Sequence, residues 1–226
     1  MYLLDPAARE AIAAHYAQRR HRSYARWKLA NDPAYAATAA LLKDSTLPLL
    51  DVGCGIGLLG QYLHASGAGV GYNGVDHDPF KIDTALAAAR HAGLEQDLQL
   101  RCADATLLAP TRGHVVLLDI LHYMSAAHQQ TLLKIITEHL APDGLLLIRN
   151  VLNEPNWRFH ATRLEEFFLR ISGWIPDGAQ HYPRADELRK PLEDAGLVVH
   201  IAPLRGRTPY NSYLLVARRL PTPGHR

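Results

Sequence analysis

The residues of this chain best suited to holding a charged small molecule are a set of alternating glycines and the acids that follow its apolar runs. Leu49-Leu50-Asp51-Val52 is such a run, and it breaks at once into Gly53-Cys54-Gly55-Ile56-Gly57. Glycines at this spacing let the backbone turn sharply and approach a ligand without side chains in the way, while Ile56, Leu58 and Leu59 begin a helix packed under the loop. Gly55-x-Gly57-x-x-Gly60 also fits the dinucleotide fingerprint, so the glycines alone leave two cofactor classes open. Asp51 helps to choose between them. A carboxylate at the mouth of the loop repels a pyrophosphate lying on the helix N-terminus and attracts an ammonium or sulfonium group.

A second acid at the end of the next strand, about 20 residues on, is expected to accept hydrogen bonds from ribose hydroxyls. Tyr72-Asn73-Gly74-Val75-Asp76 reads as that strand, with Asp76 placed 19 residues after Gly57. Leu98 to Ala105 reads as a third strand with Asp104 just beyond its apolar part, and His114 to Tyr123 as a buried fourth strand containing Asp119. An Asp after a strand equally caps the following turn, and that reading stands beside the binding one for Asp104 and Asp119. S-adenosyl-L-methionine carries an ammonium and a sulfonium in place of a pyrophosphate, and the segment Asp51-Val52-Gly53-Cys54-Gly55-Ile56-Gly57 resembles the first motif of class I S-adenosylmethionine-dependent methyltransferases. The resemblance implies S-adenosyl-L-homocysteine as product and an acid, here Asp104, near the adenine amino group. The expected cofactor set is Asp51, Gly53, Cys54, Gly55, Gly57, Asp76, His77, Asp104, Ala105 and Asp119.

Transfer from such a cofactor needs an aligned nucleophile and, where a proton must leave, a base. His122 lies just past the fourth strand, at the carboxyl edge where open α/β sheets bind ligands, and an imidazole titrating near about 6.5 suits a general base. The competing reading is that His122 packs beneath the adenine or bonds to backbone, and Tyr123 shares it. Asn150, Trp157, Arg158, His181, Tyr182 and Tyr210 are further candidates for an aromatic substrate pocket. None of the 13 histidines falls in a persuasive metal-binding spacing, so no metal is expected; His114, His128 and His139 read as surface or turn residues.

The elements that must position these residues alternate regularly. Asp5-Pro6 and Asp32-Pro33 each read as a cap followed by proline in the first helical position, giving two or three helices over residues 5 to about 43 that could form a lid. Helices are expected from Asp78-Pro79 to Ala92, from Ser125 to Leu140, from Trp157 to Ile171 and from Arg184 to Ala195, the last kinked or shortened by Pro191. Leu145 to Arg149 reads as the fifth strand, and Val198 to Ile201 with Tyr213 to Ala217 as a closing antiparallel pair, a departure from simple nucleotide-binding folds that the methyltransferase resemblance implies. The expected fold is α/β: a doubly wound, Rossmann-like, mostly parallel seven-stranded sheet behind an N-terminal helical lid. The corresponding division is 1–44 lid, 45–219 methyltransferase domain and 220–226 flexible tail. A chain of 226 residues with 48% hydrophobic content suits one compact domain. With no signal peptide, no membrane-spanning run and only Cys54 and Cys102, expected to act as small apolar residues, a reducing cytoplasm is the inference.

The net charge of +2 is too small to argue for nucleic acid, but it is unevenly spread: Arg19-Arg20-His21-Arg22 and Arg26-Trp27-Lys28 form a basic, aromatic-interleaved stretch. It reads either as a solvated helix face or as a surface for an acidic partner, the cofactor carboxylate or RNA. Methylation of RNA is disfavoured further because Asp119-Ile120-Leu121-His122 stands where an Asn-Pro-Pro-Tyr-type base pocket would be. The run Tyr24 to Tyr35, the pair His122-Tyr123 and the segment Thr208 to Arg218 resemble small bacterial methyltransferases of aryl-polyene and xanthomonadin-type pigment biosynthesis clusters. That resemblance implies a small-molecule acceptor, an aromatic hydroxyl or ring carbon on a free or carrier-bound polyene-like substrate, and an acidic acyl carrier protein as partner for the basic stretch. Two other functions fit the glycine loop: an NAD(P)-dependent oxidoreductase, and a non-catalytic S-adenosylmethionine-binding module.

Overall fold

The computed structural model describes residues 4–154, 178–206 and 211–220. Three helices precede the sheet: α1 (Pro6–Ala14), α2 (Arg19–Asn31) and α3 (Ala34–Leu42). Asp5 caps α1 by accepting from the Ala8 amide at 2.7 Å, with Pro6 opening the helix. The second Asp-Pro works differently. Asp32 closes α2 and its side chain accepts from the Ala34 amide at 3.0 Å, so that Pro33 is itself the cap of α3 and the two helices meet at an elbow.

Strands and helices then alternate: β1 (Leu49–Val52), α4 (Leu58–Ala65), β2 (Tyr72–Asp76), α5 (Pro79–Ala92), β3 (Leu98–Cys102), β4 (His114–Leu118), α6 (Ala126–Glu138) and β5 (Leu145–Val151). The described chain continues with α7 (Ala185–Asp194), β6 (Leu197–Pro203) and β7 (Ser212–Arg219). The seven strands form one sheet in the order β3-β2-β1-β4-β5-β7-β6. The first five are parallel, whereas β7 runs antiparallel between β5 and β6. The third and fourth strands are shorter than the sequence suggests, because a 3-10 turn begins at Ala105 and another, Leu121–Tyr123, follows β4.

Alternation along the strands assigns each residue a face. Leu49, Tyr72, Leu98, Val116 and Leu147 pack with α4, α5 and all three N-terminal helices, including Ile12, Leu29, Tyr35 and Leu42, and with Tyr16 between α1 and α2. Leu50, Val52, Val75, Val115, Leu117, Leu146 and Ile148 pack with α6 and α7 on the other side. The N-terminal helices are thus continuous with the core on one face, and the boundary expected at residue 44 does not coincide with a break in packing. The helix expected from Trp157 to Ile171 lies outside the described residues.

Three expectations are corrected by burial. His114 and His139 are buried at the amino edge of the sheet, not exposed. His114 accepts from the Leu145 amide at 2.9 Å and pairs with the Ser45 hydroxyl at 2.7 Å; His139 accepts from the Thr111 amide at 3.2 Å. Conversely, Cys102 is exposed near the end of the edge strand β3. Helix α7 also runs through Pro191, because the Glu187 carbonyl that the proline cannot satisfy accepts from Gln130 Nε2 at 2.9 Å.

Candidate functional site

The loop after β1 needs its glycines for stated reasons. Gly53, Gly55 and Gly57 all have positive φ, 76°, 56° and 74°. A Cβ on Gly53 would also lie 2.4 Å from Ile120 Cγ2, so the loop after β1 and the loop after β4 are in direct contact. Asp76 braces the loop from below. One of its carboxylate oxygens accepts from the Gly55 amide at 2.9 Å and the other from the Asp78 amide at 3.0 Å. From the opposite side the Tyr16 hydroxyl donates to the Ile56 carbonyl at 3.1 Å, and Gln61 in turn donates to that hydroxyl at 3.3 Å. The junction of α1 and α2 therefore holds the glycine loop directly.

The other expected cofactor residues differ in accessibility. Asp51 lies beneath the loop and not at an open mouth, 2% exposed and accepting from Tyr72 Oη at 2.5 Å. Burial, opposed by that hydrogen bond and reinforced by nearby Asp76, pushes its carboxyl up to about 7. Cys54 is buried, and burial together with Asp51 and Asp76 pushes its thiol far up, so it is not a nucleophile at neutral pH. Asp104 caps the turn at Ala105, accepting from the Thr106 amide and hydroxyl at 2.8 Å each, which holds its carboxyl below the usual range and favours the ionised form. His77 is exposed beside Asp76, its Nδ1 3.6 Å from a carboxylate oxygen.

Asp119 leaves β4 at φ 60°, a left-handed conformation uncommon for a residue with a side chain. Its carboxylate is ion-paired with Arg149 of β5 and, at 3.2 Å, with Lys28 of α2. Lys28 also meets Asp32 at 2.8 Å, and Arg149 reaches Asp32 at 3.5 Å. Two cations and two acids thus join the N-terminal helices to the carboxyl edge of the sheet. Burial opposes ionisation of Asp32, but Arg149 and Lys28 outweigh it and hold the carboxyl well below its ordinary range. Sequence reading assigned Asp119 a role but missed Asp32, Lys28 and Arg149 as its surroundings. The signals available were the i,i+4 spacing of Lys28 and Asp32 and an arginine inside the apolar run of β5. Of the basic stretch, Arg26 pairs with Glu10 and Lys28 points inward, which leaves Arg19 and Arg20 exposed.

His122 stands on the 3-10 turn after this cluster, 2% exposed. Its Nδ1 lies 3.0 Å from Asn150 Oδ1. The ring is stacked parallel to Tyr182, centroids 5.9 Å apart, and lies 4.1 Å from the Tyr123 ring. Gln180 donates its amide to the His122 carbonyl at 2.8 Å, and buried Gln129 donates to the carbonyls of Leu121 and His181. Burial, partly offset by Asn150 and reinforced by Lys28, pushes the imidazole down to about 4, so it is neutral at physiological pH. The structure brings together His122, Tyr123, Asn150 and Tyr182. His181 turns aside to Glu187 at 3.2 Å, and Trp157, Arg158 and Tyr210 lie outside the described residues. Among the described residues, no three His, Cys, Asp or Glu side chains group as metal ligands.

A braced glycine loop touching a strand-end loop with a neutral imidazole can hold a nucleotide-like cofactor next to a proton acceptor. A family model described as a methyltransferase domain matches residues 16–201. The chain belongs to this methyltransferase family. The methyltransferase domain is 32% identical over 163 residues to a ubiquinone biosynthesis O-methyltransferase of Cereibacter sphaeroides, a match covering 70% of this chain and 63% of that protein. Its fold is shared with magnesium protoporphyrin IX methyltransferase from Synechocystis PCC 6803, solved with bound SAH, at a TM-score of 0.63 and 22% identity over 84% of this chain and 81% of that one. Mitomycin 7-O-methyltransferase is similar at a TM-score of 0.66 and 20% identity, covering 96% of this chain and 58% of that one. The seven-stranded methyltransferase architecture expected from the sequence is the one observed.

Proposed function

We propose that this methyltransferase domain binds S-adenosylmethionine over the Gly53–Gly57 loop and transfers its methyl group to a hydroxyl of a small aromatic acceptor. The observation that carries this reading is the contact between the two loops: Ile120 fills the space a side chain on Gly53 would need, so a cofactor on the glycines lies next to the turn bearing His122. The cofactor supplies an electrophilic methyl carbon. Asp76 takes the ribose, and His122, neutral and buried, removes the acceptor proton as oxygen attacks. Tyr123 and Tyr182 offer aromatic faces to the acceptor. An oxygen acceptor is favoured over ring carbon because both the curated relative and the mitomycin enzyme are named as O-methyltransferases.

Calorimetric titration with S-adenosylmethionine, S-adenosylhomocysteine and NADH is the direct test, with Asp76→Ala as control. Binding of the two adenosyl ligands, lost in the variant and absent for NADH, is the expected result; binding of NADH alone would replace the proposal with an oxidoreductase. His122→Ala is expected to lower turnover by about 10²-fold with cofactor affinity nearly unchanged. Weakened cofactor binding at unchanged turnover would instead assign His122 a packing role.

The finer substrate reading is a polyene-like pigment precursor presented by an acyl carrier protein. Its support is the exposed pair Arg19 and Arg20 at the start of α2, since carriers are acidic. Titration with an acidic carrier, repeated after reversing both charges, decides it: no interaction in either case removes the carrier.

A further inference from the structure

The amide of Asn150 is held at both ends. Its Nδ2 donates to the Val151 carbonyl at 2.8 Å, and its Oδ1 faces His122 Nδ1 at 3.0 Å. A backbone carbonyl only accepts, so the Nδ2 end is fixed against Val151. The reversed amide would set Oδ1 against that carbonyl and Nδ2 against the ring, losing the first bond and forcing the second to change sense. With Oδ1 toward the ring, the only hydrogen bond available at 3.0 Å is donation by the imidazole: Nδ1 carries the proton. The surroundings leave the ring little freedom to answer otherwise. Tyr182 lies parallel to it at an interplanar angle of 2°, Tyr123 packs beside it, and the His122 carbonyl is taken by the Gln180 and His181 amides. Asn150 is 2% exposed on β5, locked in the sheet opposite Tyr213 of β7.

We infer that Asn150 is a positioning residue that fixes His122 as the Nδ1–H tautomer and so keeps Nε2 as the proton-accepting nitrogen. This deepens the reading of His122 as general base and rests on it for its functional meaning, although the tautomer itself can be measured without turnover. The sequence suggested a different role for Asn150, as one of several residues lining the acceptor pocket. Its buried, doubly engaged amide makes it instead the partner that sets which ring nitrogen works, as second partners of reactive histidines commonly do.

The test is heteronuclear NMR of the full chain labelled with ¹⁵N-histidine and saturated with S-adenosylhomocysteine, the His122 ring signals being identified by their loss in His122→Gln. Between pH 5.5 and 8 the expected pattern is a protonated-type Nδ1 and an unprotonated-type Nε2, with no titration. In Asn150→Leu the tautomer ratio is expected to move at least about fivefold toward Nε2–H, as the loss of one hydrogen bond requires. In Asn150→Asp the Nδ1–H form is expected to persist while the imidazole gains basicity and its midpoint rises by about a unit or more. An Nε2–H pattern in the native chain overturns the inference, and so does an unchanged pattern in the leucine variant. Should that variant not fold, an aspartate variant with an unmoved midpoint overturns it. Loss of the general-base reading would show separately, as unchanged methyl transfer in His122→Ala with the native tautomer intact.

Discussion

Burial acts on Asp51 and His122 in opposite directions, and their stability contributions therefore run against each other with pH. His122 takes a proton near 6.5 when unfolded but only near about 4 in the fold, so its contribution is complete above 6.5 and is lost as pH falls toward 4. Asp51 ionises near 3.8 when unfolded and near about 7 in the fold, so its contribution is complete below 3.8 and is lost as pH rises toward 7. Each slope approaches about 1.4 kcal/mol per pH unit between the two limits. Urea denaturation across pH 4–6.5 is expected to show stability rising with pH in Asp51→Asn, falling with pH in His122→Gln and flatter than either in the native chain. A native curve as steep as the asparagine variant's would sink this account. The same residues show what a sequence conceals. That Asp51 lies near the end of a strand was legible, but its burial was not, because the face it shares with Leu49 and Tyr72 is set by the neighbouring strand. At Gly53 the need for glycine was legible and the contact with Ile120 was not: Gly53→Ala places a side chain at φ 76° against Ile120 and is expected to cost about 1–2 kcal/mol for the backbone alone, read as loss of cofactor affinity in calorimetry.

Between elements, the strand-and-helix alternation was legible because apolar runs and caps repeat at the spacing that βαβ units require. What joins the elements was not. Lys28 and Asp119 stand 91 positions apart, and no local pattern pairs them. Removing one partner of this buried cluster leaves a charge without compensation, so Arg149→Met is expected to destabilise the fold by about 3–5 kcal/mol in urea. A change below about 1 kcal/mol would mean that water already serves the two acids. The junction of α1 and α2 bonds to the glycine loop through the Tyr16 hydroxyl. Tyr16→Phe keeps the packing and deletes the bond to Ile56, with an expected loss of roughly threefold to tenfold in cofactor affinity. Global stability is expected to fall by about 1 kcal/mol as well, because the buried Gln61 amide loses the hydroxyl to which it donates.

At the scale of the molecule, the doubly wound sheet and its antiparallel closing pair were both readable, because apolar runs and turn residues alternate at the spacing they need. The sheet order has a further consequence, for synthesis. Among the described strands β7 comes last in the chain, yet it lies between β5 and β6 and bonds to both. Val151, the end of β5, leaves the ribosome 61 residues ahead of Ser212, where β7 begins. At about 5–20 residues per second, that is roughly 3–12 s during which Leu145-Leu146-Leu147-Ile148 offers an apolar, hydrogen-bonding edge to any neighbouring nascent chain. Every copy passes through this interval before β7 arrives, so shielding of this edge during translation guards the nascent chain against pairing with its neighbours.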